Sequence, residues 1–173
     1  MTSCILCGAC AKTKRCNRDE DFMELYQEID QFDIILFIIP FYSPIPSKLM
    51  ILLEKMNQLK YASYLQKDRK NKEIKQYAGI IVHGGMVDHP VVKNHYKEMI
   101  SKPISNVLNG QGFHILDDND MFKYGIAFGL EAALDITYHD QDFPTITLKE
   151  SYINKNIKPY IDYIINKIDK EET

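Results

Sequence analysis

The sequence has no excess of basic charge. Its 21 Lys and Arg stand against 24 Asp and Glu, giving a formal charge of −3 and a pI near 5.9. A nucleic-acid-binding domain would show a basic face, so that class is disfavoured. Met1 to Cys10 holds no basic stretch followed by an apolar core, the pattern of a signal peptide. The longest apolar run, Ile34 to Ile39, is too short to cross a bilayer. Internal repeats and low-complexity segments are lacking, as are the G-x-S-x-G of a hydrolase elbow and the G-x-G-x-x-G of a dinucleotide loop. What is left is an ordinary globular composition, 45% hydrophobic and 26% charged over 173 residues. It predicts one domain, in the cytoplasm, with neither nucleic acid nor membrane as a partner.

Cysteine is absent after position 16. All four cysteines fall in Cys4-Ile-Leu-Cys7-Gly-Ala-Cys10-Ala-Lys-Thr-Lys-Arg-Cys16, a C-x2-C-x2-C-x5-C pattern that marks residues 1–18 as a four-cysteine loop. In a reducing compartment such clustering points to metal or redox chemistry before structural disulfides. Two adjacent C-x2-C steps wrap a short loop so that three thiolates face one centre, and Cys16 is near enough to supply the fourth ligand of a [4Fe–4S] cluster. Lys12, Lys14 and Arg15 would offset the negative charge of such a cluster. Structural zinc, which favours two separated C-x2-C pairs, and a loop of free or redox-active thiols are the other readings.

Further along, Asp19 or Asp21 caps a predicted helix carrying Phe22, Leu25, Tyr26 and Ile29 at helical spacing. Ile34 to Ile39 is a β-branched run of the kind buried in parallel sheets, stopped by Pro40. A helix opening at Pro46 places Leu49, Leu52, Leu53 and Met56 on one face. Lys67 to Lys75 reads as a charged connector. A second strand is expected over Tyr77–Val82, ending in His83-Gly84-Gly85, and a third over Phe113–Leu116. Between them a helix begins at Pro90 and should kink or break at Pro103. Gly125 to Leu134 is expected to hold a short helix, and Ser151 to Lys170 a terminal amphipathic one bent at Pro159.

Strands alternating with helices describe an α/β fold on a parallel sheet. Ligands then sit beyond the carboxyl ends of the strands, at the loops Pro40–Ile45, His83–His89 and Asp117–Tyr124. The cysteine loop is expected to open on that side. His83 and His89 are candidate proton donors or metal ligands, and Asp117, Asp118 and Asp120 a candidate carboxylate cluster. The commoner roles of such residues are surface hydrogen bonding and turn capping.

Cys4–Cys16, the helix after it, Asp33–Pro40-Phe41-Tyr42 and Pro46-Ser47-Lys48-Leu49 together resemble the NADPH-dependent FMN reductases of the flavodoxin superfamily. The cysteine spacing is similar to that of the iron–sulfur flavoproteins among them. The resemblance spans Cys4 to about Leu116 and is specific up to about Lys55. It implies a flavodoxin-like three-layer parallel sheet, truncated at the N-terminus so that strands 3-4-5 of the 2-1-3-4-5 order remain. It also implies a flavin-dependent oxidoreductase or electron-transfer protein, with FMN beside Pro40, Phe41, Tyr42, Ser43, Ile45, His83, Gly84 and Gly85. A [4Fe–4S] cluster would sit on Cys4, Cys7, Cys10 and Cys16, with NAD(P)H or a redox protein as partner.

Departures from the family pattern are Pro44 where Gly is common, Met50 for Lys, and Glu54-Lys55 for Asp-Arg. The family's first strand and phosphate loop, which hold FMN through backbone N–H groups, have no counterpart in these 173 residues. A shortened, non-catalytic relative using the cysteines as a metal- or thiol-based module is therefore the alternative. Either way Ile34–Ile39 becomes an open edge, and a homo-oligomer is expected.

Overall fold

A computed structural model describes residues 1–41, 44–65, 76–131, 136–137, 145–146 and 149–169. After a four-residue helix α1 (Cys10–Thr13), Asp19 caps α2 (Glu20–Ile29) by accepting from the Phe22 N–H at 3.1 Å. Gln76 closes the other end, its side-chain amide donating to the Ile29 and Phe32 carbonyls. Strand β1 (Ile34–Pro40) follows, then α3 (Ser47–Leu65), whose first bond runs from the Met50 N–H to the Pro46 carbonyl. Strand β2 (Tyr77–Val87) runs five residues beyond the expected Tyr77–Val82, carrying His83, Gly84 and Gly85 within the strand and not in a loop.

The helix from Pro90 does not break at Pro103. It continues as α4 (Pro90–Tyr96), a π-helical turn (Lys97–Ser101) and α5 (Lys102–Gly110). Proline lacks an N–H and crowds the carbonyl four residues back. One wide turn just before Pro103 absorbs both effects. Strand β3 is short (His114–Ile115), and Gly125 to Leu134 holds a strand, β4 (Ile126–Leu130), where a helix was expected. The five residues of β4 are all buried, so the absence of polar alternation hid the strand. An antiparallel pair, β5 (Ile136–Thr137) and β6 (Thr145–Ile146), precedes α6 (Glu150–Asp169), which runs through Pro159. The Lys67–Lys75 connector, Tyr42 and Ser43 lie outside the described residues.

Every pairing in the main sheet is parallel. β1 lies against one edge of β2 in the register Ile34↔Tyr77 to Pro40↔His83. β3 pairs with the start of β2 and β4 with its second half, so β3 and β4 form one interrupted strand on the other edge. The sheet therefore sits between two layers of helix. On one face Phe37, Ile39, Ala78, Ile80 and Val82 pack with Leu52, Leu53 and Met56 of α3 and with Tyr96, Ile100, Ile104 and Leu108. On the other, Tyr77 and Ile81 pack with Tyr160 and Ile164 of α6. This is an α/β fold with a parallel sheet. No helix among the described residues is long and apolar enough to cross a membrane.

Candidate metal centre

All four cysteines line one cavity of about 410 Å³ between the first eighteen residues and the helices α2 and α3. Each is a free thiol; Cys7 is exposed, and Cys4, Cys10 and Cys16 are half-buried. Cys10 and Cys16 rest against the apolar core beneath α3. The helical wall is Phe22, Lys55, Gln58, Leu59, Tyr61 and Ala62. Arg18 and Lys55 contribute cationic groups to the lining, and no described lining residue is a carboxylate.

The loop curls because two of its residues turn left-handed. Leu6 has φ 51° and Gly8 φ 71°. Such a conformation costs a non-glycine residue roughly 1–2 kcal/mol, and the Leu6 N–H that it redirects donates to Cys4 Sγ at 3.4 Å. Backbone N–H groups aimed at sulfur stabilise thiolate charge and tune iron–sulfur sites. Lys14, at φ 55°, ends α1 and turns the chain towards Cys16, whose N–H faces the Met23 sulfur at 3.2 Å.

Three side chains fasten the loop to the helices. The carboxylate of Asp19 accepts from the Thr2 N–H at 2.6 Å, the Thr2 hydroxyl at 3.2 Å and the Lys55 ammonium. Glu54 accepts from the Cys4 N–H at 3.2 Å. Asp19 and Lys55 are both buried, each side chain 4% exposed. Burial alone would raise the Asp19 pKa. The hydrogen bonds from Lys55 and from the Thr2 and Phe22 backbone outweigh it and hold the carboxyl well below the usual range. Lys55 also stands 5.3 Å from the centre of the Phe22 ring, under the cavity floor. In the sequence Asp19 shows only as a helix cap and Glu54-Lys55 only as a departure from a family pattern. The overlooked signal was position: Lys55 is three residues after Leu52 and four before Leu59, on the apolar stripe of α3.

The chemistry of the donor set separates two kinds of centre. A single zinc needs four donors about 2.3 Å from one point if they are thiolates. Among the described residues no three His, Cys, Asp or Glu side chains gather closely enough for one ion. A cubane presents a separate iron to each thiolate, so its ligands stand further apart around a volume. The four thiols are spread around one cavity and are not gathered at one point.

The residues expected beside a flavin are placed elsewhere. None of the described residues of Pro40–Ile45 or His83–His89 lines the cysteine cavity, whose wall is the middle and far half of α3. At the strand ends Phe41 packs on Tyr96 with ring centres 4.9 Å apart, and the Tyr96 hydroxyl accepts from the Met86 N–H at 3.1 Å. A Cβ on Gly84 would collide with that hydroxyl and would reach Phe41 at 3.0 Å. Gly84 thus serves the packing of Tyr96. His83 stacks on Phe128, and burial lowers its pKa. Pro40 and Ile45 are half-buried, and Gly85 is exposed. Phe41, Gly84 and Tyr96 are packed on one another here, Tyr42 and Ser43 lie outside the described residues, and no chemical step is assigned to a flavin.

His89 caps α4, its Nδ1 accepting from the Val91 N–H at 3.2 Å. Asp118 accepts from the Asp120 and Phe122 N–H groups, and Asp117 from that of Tyr124, the turn-capping role. A second, polar cavity of about 540 Å³ lies between α5, β3 and α6, lined by His114, Asp117, Tyr124 and Lys167 among others. No protein-family model, curated protein or solved structure matches this chain.

Proposed function

We propose that the protein is an iron–sulfur electron-transfer module of flavodoxin-like architecture, holding a [4Fe–4S] cluster on Cys4, Cys7, Cys10 and Cys16. The observation that carries this reading is the shared cavity, into which all four thiols open and to which no described carboxylate contributes. When bound, a cubane of this kind accepts and returns single electrons. The chain's own contribution is to hold the ligands and set the charge around them. Asp19, Glu54 and Lys55 fix the loop on α3, the Leu6 N–H points at the Cys4 sulfur, and Arg18 places positive charge beside the thiolates, that of Lys55 being paired with Asp19. Exposed Cys7 marks the side from which a redox partner would approach. The parallel order β1-β2-β3/β4 is compatible with the last three strands of a flavodoxin-like sheet.

Exposure of Cys7 also favours a second reading, a thiol-based module that carries no cluster. Anaerobic reconstitution with ferrous iron and sulfide separates the two. The cluster reading predicts a brown protein with about four irons and four sulfides per chain. A colourless chain whose four thiols all remain titratable removes it.

A further inference from the structure

We infer that the free edge of β1 is a self-association surface, on which a second copy of this chain adds its own β1 in antiparallel orientation about a two-fold axis at Leu36. Among the described residues β1 pairs only with β2. The Phe41 N–H donates to the His83 carbonyl and the Tyr77 N–H to the Asp33 carbonyl. The odd-numbered residues of β1 therefore turn their backbone groups towards β2. The even-numbered residues, Ile34, Leu36 and Ile38, turn theirs outwards.

The same three residues carry side chains on the face that α6 covers over β2, as the pairing Leu36↔Gly79 and the approach of Ile164 to Gly79 place them. Over β1 no described helix covers that face. Ile34 is 36% exposed, Leu36 40% and Ile38 63%. Natural edge strands are blunted by lysine, inward charge, bulges or cover. From Ile34 to Pro40 there is no charged side chain, and the proline comes only at the end.

A second copy fits this edge because the row reads the same in both directions. With Leu36 opposite Leu36, Ile34 faces Ile38 of the second copy and Ile38 faces its Ile34. Residues opposite one another in an antiparallel pair share a face, so the apolar rows meet side by side. The outward N–H groups of Ile34, Leu36 and Ile38 then meet outward carbonyls of the same three residues. No charge is brought against a like charge within the paired segment. A closed two-fold pairing uses up the β1 edge of both copies, so no further copy can add at β1. The seam is short, since seven residues of strand span about 23 Å. It buries well under the ~800 Å² per partner of a standard interface. The dimer is therefore reversible and depends on concentration.

Sedimentation velocity of the full chain over a micromolar dilution series tests the inference, with hydrogen exchange read at the Leu36 amide. The expected result is a monomer–dimer equilibrium. Ile38→Lys, which touches an exposed side chain, should give a monomer with unchanged circular dichroism and the melting temperature of the dilute, monomeric wild type. Protection of Leu36 should appear only at high concentration and vanish in that variant. A chain monomeric at the highest concentration overturns the inference and leaves the edge to a partner of different sequence. A dimer that survives Ile38→Lys with Leu36 unprotected overturns it as well.

Discussion

Asp19 gathers donors from three places, namely the chain start at Thr2, the first turn of α2 at Phe22, and α3 at Lys55. Removing one partner of such a buried pair strands the other without solvent. Lys55→Met should cost about 3–5 kcal/mol, and the double variant Asp19→Asn/Lys55→Met should recover much of that loss. Urea denaturation at neutral pH measures both. The Asp19 carboxyl has a folded pKa below its unfolded value of about 3.9. Its contribution is therefore complete above that value and is lost as the pH falls through the folded pKa. Between neutral pH and about pH 3 the stability of the wild type should fall more steeply than that of Asp19→Asn, and parallel slopes would contradict the assignment. The cap at Asp19 was legible because an acidic residue before an apolar helical stripe has a local function. Its bond to Lys55, 36 residues away, was not, since only the approach of α3 to α2 brings the two together.

At the scale of elements, the break between β3 and β4 leaves the ladder open where the Leu116 carbonyl faces the Ile80 N–H of β2. The Tyr160 hydroxyl stands in for the missing strand. It donates to the Leu116 carbonyl at 2.5 Å and accepts from the Ile80 N–H at 3.2 Å. Tyr160→Phe should destabilise the fold by about 1–3 kcal/mol, the cost of unpaired buried groups, without changing its secondary structure. A change near zero in the thermal transition would show that the ladder closes unaided. The second half of the strand restarts at Gly125, at φ 90° and so close to β2 that a Cβ would collide with the Ile80 carbonyl. Gly125→Ala should cost more than the roughly 1 kcal/mol of an ordinary left-handed glycine, because the neighbour in the way is backbone. Strands β1 and β2 were readable as apolar runs. β4 was not, because a short run buried on all sides looks alike as helix or strand. The passage of the helix through Pro103 was hidden too, since a π-helical turn has no sequence signature of its own.

For the whole molecule the asymmetry is plain. Among the described residues one face of the sheet carries α2, α3, α4 and α5 and the other carries α6 alone, which leaves the even-numbered side chains of β1 exposed. That imbalance was visible as an unprotected apolar run, and it underlies the concentration-dependent pairing proposed above. The parallel α/β class was legible from alternating strand and helix patterns. The position of the cysteine loop was not. It was expected at the carboxyl ends of the strands, yet it lies on the flank of α3, held by contacts spanning up to 50 residues of sequence. Spacing grouped the four cysteines; the fold alone could say which wall they share.

If the loop exists to hold a cluster, each ligand matters in a graded way. Cys10→Ser and Cys16→Ser, against the core, should abolish colour, whereas serine at exposed Cys7 should leave a partly assembled, more labile centre. The most direct measurement is iron and sulfide content together with Mössbauer spectroscopy on the anaerobically reconstituted full chain, beside the variant with all four cysteines replaced by serine. The account predicts about four irons and four sulfides per chain in a spin-coupled cubane, and neither in the variant. One tightly bound zinc per chain, or no metal at all with every thiol free, would contradict it.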